Sequence, residues 1–136
     1  MVKNICRDVF FLSRPSAEAT PADAQTGLDL LETLEANRER CVGMAANMIG
    51  VAKRIIVFND GIKNVLMYNP KIIAKSGRYE TEEGCLSLAG TRACVRYKQI
   101  TVEYLDASFA KKKQSFRDYT AEIIQHETDH CDGIII

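Results

Sequence analysis

Only two histidines occur in this 136-residue chain, and they stand four apart with a glutamate after the first: Gln125-His126-Glu127-Thr128-Asp129-His130. On a helix a spacing of four puts both imidazoles on one face, one turn apart. Two imidazoles so related can ligate one metal ion. Glu127 then lies about 100° round the helix from His126. From there it can act as base toward a water on that metal without being a ligand itself. The chemistry implied is hydrolysis assisted by a divalent metal.

Catalytic sites of the zinc type use three protein ligands, and no third histidine exists. Thiolate and carboxylate are the remaining options. The chain has five cysteines, at 6, 41, 85, 94 and 131. The number is odd and the N-terminus lacks a secretory-type apolar stretch, so a disulfide framework is not expected. Cys131 follows His130 directly and would point about 100° away from it on a helix. Cys85, between Gly84 and a short apolar turn, is the better third ligand. A thiolate with two imidazoles suits iron as well as zinc.

The motif needs a helix to carry it. Thr120 suits the N-cap, Glu122 the first turn and Gly133 the C′ position. A second helix opens at Thr20-Pro21 and runs to about Arg40, with Ala24, Leu28, Leu31 and Leu34 at helical spacing as its apolar stripe. Cys41 to Gly50 is apolar, small and bounded by glycines, a segment able to pass close to a ligand or another backbone. Arg54–Phe58 and Val65–Tyr68 read as strands about an Asn59-Asp60-Gly61 turn. Val95–Leu105 alternates as a strand, with Ile100, Val102 and Tyr104 on one face. Lys111-Lys112-Lys113 reads as a solvated hairpin tip, and Ser115–Tyr119 as a last short strand. The order predicts one α+β domain over residues 1–136: antiparallel β-sheets packed around a C-terminal metal-binding helix, with an N-terminal amphipathic helix.

Lysine plus arginine equals aspartate plus glutamate, 18 each, so nothing points to nucleic acid or an anionic membrane as partner. No apolar run approaches a membrane span. A cytoplasmic protein is expected.

Three segments together resemble the peptide deformylase family. Gly43-Met44-Ala45-Ala46-Asn47-Met48 is similar to its first motif, usually Gly-Leu-Ala-Ala-x-Gln. Glu83-Gly84-Cys85-Leu86-Ser87 matches the second and Gln125 to His130 the third. The resemblance implies that Cys85, His126 and His130 hold Fe²⁺, with Zn²⁺ or Ni²⁺ as substitutes. It implies that Glu127 is the general base and that the Leu86 backbone N–H donates to the formyl oxygen. Val42, Gly43 and Ile123 would meet the substrate, a formylmethionyl peptide or nascent chain, and Glu83 would pair with Arg96 nearby. The departure is Met48, where the family carries a glutamine whose amide also donates to that oxygen. A thioether has no N–H to give, and losing one such donor costs about 10²–10³ in rate. Reduced activity is therefore expected, or a catalytically weak module that binds metal and peptide. Asn47, which precedes Met48, would substitute if its amide turned inward.

Overall fold

The computed structural model describes residues 1–135. Five strands form one antiparallel sheet in chain order: β1 (Gly43–Ala45), β2 (Ile55–Asn59), β3 (Asn64–Cys85), β4 (Leu88–Leu105) and β5 (Lys111–Arg117). Three α-helices accompany them, α1 (Val9–Leu12), α2 (Ala24–Ala36) and α3 (Asp118–Cys131), with short 3-10 turns at Pro21–Asp23 and Ala46–Ile49. The α+β architecture with a motif-bearing C-terminal helix agrees with the sequence pattern.

The run Ile55-Ile56-Val57-Phe58 is apolar at every position because β2 is covered on both faces. Ile55 and Val57 pack with Leu30 and Leu34 of α2, joined by Met44, Leu66 and Tyr68. Ile56 and Phe58 pack with Ala121, Ile123 and Ile124 of α3, joined by Ala45, Met67, Ile100 and Val102. The sheet thus lies between α2 and α3, and α3 packs across β1, β2 and β4 on its face.

Several boundaries differ from the sequence pattern. Asp23 accepts from the Thr20 N–H at 2.8 Å, as the Thr20-Pro21 signal predicts, but α2 proper begins at Ala24 and ends at Ala36. Its buried stripe is Gly27, Leu30 and Leu34, while Leu28 is half exposed at 51%. The stripe is set by the depth of the sheet surface, which Leu28 does not reach. α3 starts at Asp118 with Arg117 as N-cap, so Thr120 lies inside it. Its C-terminal end is as expected. Gly133 has φ +76°, and its N–H and that of Ile134 bond to the carbonyls of His130 and Asp129, the Schellman arrangement. Lys111 to Lys113 pair along β4 as part of β5 rather than forming a tip. The turn falls at 106–110 instead, where Asp106 Oδ1 accepts from the N–H groups of Ser108 and Ala110. β3 continues past Asn69-Pro70 through register shifts, with Asn69 at φ +51°. Among the described residues no helix is long and apolar enough to cross a membrane.

Candidate metal centre

The long β3–β4 hairpin brings Cys85 to its tip and Glu83 and Arg96 to its stem, and α3 brings both histidines and Glu127. One ligand atom from each of Cys85, His126 and His130 lies within 4.8 Å of the others. The two imidazole Nε2 atoms are 3.2 Å apart. His126 Nδ1–H donates to Glu83 Oε1 at 2.7 Å, which fixes the tautomer and turns Nε2 toward Cys85 and His130. Convergence of one sulfur and two imidazole nitrogens, with the first ring already oriented by a carboxylate, fits a divalent metal of the softer kind.

Behind this group lies a buried charge network. Arg96 grips Glu83 through Nη2 to Oε1 at 2.8 Å and Nε to Oε2 at 3.0 Å. Its Nη1 donates to Asp129 Oδ2 at 2.7 Å. Burial penalises the charge on Glu83, but His126 and Arg96 outweigh that and hold its carboxyl well below the usual range. In the metal-free protein burial pushes Glu127 up to about 7, His126 opposing. His130 is driven down to about 3 by burial and then by charge on His126. Burial also opposes charge on His126, yet the bond to Cys85 and the charges of Glu127 and Glu83 carry it up to about 10.

A cavity of about 640 Å³ opens onto the group. Val42, Gly43, Met48, Cys85, Leu86, Ile123, His126 and Glu127 all line it; His130 is buried at its back. Gly43 passes under Glu127 so closely that a Cβ would stand 3.0 Å from Oε2. Ile123 belongs both to this wall and to the core. A separate hollow of about 710 Å³ runs along another face of α3, past Gln125 and Asp129. It contains none of the three convergent residues, so the chemistry belongs to the smaller cavity.

Asn47 does not replace a missing donor. Its Nδ2 donates to the His130 carbonyl at 2.8 Å, because the turn over Ala46–Ile49 directs it into the protein while Met48 faces the cavity. The Met48 sulfur itself accepts from the Ala45 N–H at 3.4 Å. Cys131, the last residue of α3, is buried in the core, its thiol pushed up to about 12 by burial. Sequence reasoning missed Asp129, although it lies three residues after His126 on the same helix, a spacing that puts the two side by side.

Comparison with known proteins gives a consistent result. A family model described as polypeptide deformylase matches residues 9–136. A peptide deformylase of Clostridium beijerinckii is 57% identical over 136 residues, the whole of both chains. The crystal structure of peptide deformylase from Thermotoga maritima superposes with a TM-score of 0.89 at 26% identity, covering 99% of this chain and 95% of that one. A class I type b deformylase of Acinetobacter baumannii bound to Met-Ala-Ser gives 0.88 at 25% identity, covering 99% and 97%.

Proposed function

The chain belongs to the polypeptide deformylase family, which makes it a metal-dependent hydrolase of N-formyl groups on new polypeptides, and from that premise we propose how its own residues divide the work. Cys85, His126 and His130 would hold the metal, Fe²⁺ by preference with Zn²⁺ or Ni²⁺ as substitutes. Bound there, it would supply Lewis-acid polarisation of the formyl carbonyl and a lowered pKa of water. Glu127 takes the proton from the attacking water and returns it to the leaving nitrogen. Water adds to the formyl carbon, the C–N bond breaks, and formate and a free α-amine leave. The Leu86 N–H donates to the formyl oxygen as charge develops on it. Gly43 and Val42 meet the substrate backbone beside Glu127, and Ile123 lies near the first side chain.

The observation that carries this reading is the convergence of three ligand atoms within 4.8 Å beside a buried carboxylate at a cavity wall. A buried carboxylate in the cavity wall, beside the three ligand residues, is placed to take a proton and to return it. The substrate is a formylmethionyl peptide or nascent chain, and the reaction belongs to the cytoplasm, where such chains are made; the Met-Ala-Ser complex of the Acinetobacter relative is consistent with that class. The test is formate release from a formyl-Met peptide by protein loaded with Fe²⁺ without oxygen. Glu127→Gln should keep the metal and lose most of the rate; an unaltered rate would exclude Glu127 as base.

Met48 favours a second reading, a weakened enzyme or a binding module. The residue is fully buried in the cavity wall and offers no donor. Met48→Gln should raise the rate about 10²-fold at unchanged metal content if catalysis is limited by the missing donor. No gain, with metal bound, would favour the binding role.

A further inference from the structure

Residues 6 and 7 reach both halves of the cavity. The Cys6 N–H donates to the Met48 carbonyl at 2.7 Å. Arg7 Nη1 donates to the Leu86 carbonyl at 2.9 Å. That carbonyl belongs to the peptide joining Leu86 to Ser87, and the N–H of the same peptide donates to Cys85 Sγ at 3.5 Å. The bonds form a line: guanidinium, carbonyl oxygen, peptide, N–H, sulfur. A cation on the oxygen of a peptide polarises it and strengthens its N–H as a donor. A stronger N–H···S bond draws electron density from a thiolate, and such outer bonds tune the metal that the ligand holds.

We propose that Arg7 is a positioning residue that acts through the Leu86–Ser87 peptide on the Cys85 sulfur and steadies Leu86, whose N–H serves the formyl oxygen. The proposal rests on the assignment of Cys85 as a metal ligand. It gives the N-terminal segment a part in the reaction. That part is larger here because Met48 supplies no donor and Leu86 has no side-chain companion in the task. Arg7 itself is exposed, so its single bond adds little to stability, and removing it leaves the core untouched.

The experiment uses the full chain loaded with Co²⁺, as wild type, Arg7→Met and Arg7→Lys. The readouts are the sulfur-to-cobalt charge-transfer band and the kcat and KM for a formyl-Met peptide. In Arg7→Met the band should move to lower energy, because a thiolate with a weaker N–H bond gives up charge more readily. Its kcat should fall about three- to tenfold, less than the ~10–100-fold loss from a direct outer partner, with KM within about twofold. Arg7→Lys, which keeps a cationic donor, should recover most of both. A band and kcat in Arg7→Met equal to wild type would overturn the proposal. A Lys variant as altered as the Met variant would do the same, since the cation would then not be the agent. A wild-type spectrum with no sulfur band would instead overturn the ligand assignment beneath it.

Discussion

Replacing Gly43 by alanine adds one carbon at the tightest point between β1 and α3. Gly43 pairs with Phe58 across the β1–β2 ladder and lies under Ile123 and Glu127. The new Cβ would stand 2.6 Å from Ile123 Cγ2 and 3.0 Å from Glu127 Oε2. Carbon atoms rest about 3.5–4.0 Å apart, so the first gap is short by about 1 Å. Ile123 cannot easily give way. It is β-branched on a helix, with one favoured rotamer, and it packs against Ala45, Ile56 and Ile124. Glu127 is itself only 4% exposed. Either α3 lifts or the carboxylate moves, by a distance similar to the overlap. Overpacking of this kind costs about 1–3 kcal/mol of stability. Misplacing a reacting group by ~1 Å costs on the order of 10²-fold in rate. Gly43→Ala should still take up stoichiometric metal, because the three atoms nearest the new Cβ belong to Ile123 and Glu127 and not to the ligand residues. It should unfold at lower urea and release formate about 10²-fold more slowly at saturating substrate. A variant with full metal content and undiminished kcat would refute the idea that this contact sets the position of Glu127.

Glu83→Gln removes the anion between His126 and Arg96; metal titration should show about 10–100-fold weaker affinity, and urea unfolding a loss of about 3–5 kcal/mol, because Arg96 keeps only Asp129 as its charged partner. In metal-free protein Glu127 is raised by burial to about 7 from an ordinary value of 4.5. Between those values the unfolded chain binds fewer protons than the folded one, so this group makes stability fall as pH rises, by about 1.4 kcal/mol per unit at most, and adds nothing further above about 7. Glu127→Gln should remove that fall: urea midpoints of wild type and variant should diverge from about pH 5 and stay parallel above pH 7, and curves parallel throughout would contradict the shift. Gly133→Ala, at φ +76° against the Ser13 backbone, should lower the melting temperature with metal-site kcat retained, since the C′ position needs the left-handed conformation.

The helix with its His-Glu-x-x-His face was legible because periodicity is a local property, and one turn of α-helix relates His126 to His130 without any tertiary knowledge. Cys85 was found by elimination and by motif. Nothing in residues 83–87 alone says that a hairpin tip meets a helix some forty residues later. The α2 stripe is not legible at Leu28, because a helix with leucines at 28, 30, 31 and 34 offers two faces and only the sheet beneath chooses between them. The β5 lysines carry no strand signal, because Lys-Lys-Lys is polar and unpatterned. An edge strand tolerates such a run, since its outer side faces water and charge there discourages further pairing. Arg7 carried no signal of any kind: its role depends on which carbonyl the folded chain presents to it.

The β3–β4 hairpin has a consequence for turnover of the protein. On the proposed assignment its tip gives one metal ligand and α3 gives two, so the ion would close a loop of roughly forty residues, adding to the Glu83–His126 and Arg96–Asp129 bonds that already join hairpin to helix. Because the unfolded chain has no such site, the affinity for the metal adds directly to the free energy of folding. The ion is thus a clasp as well as a reagent. Metal starvation should loosen the hairpin tip from the helix and expose its backbone to proteases, so that the amount of this enzyme in a cell follows the supply of the ion it works with.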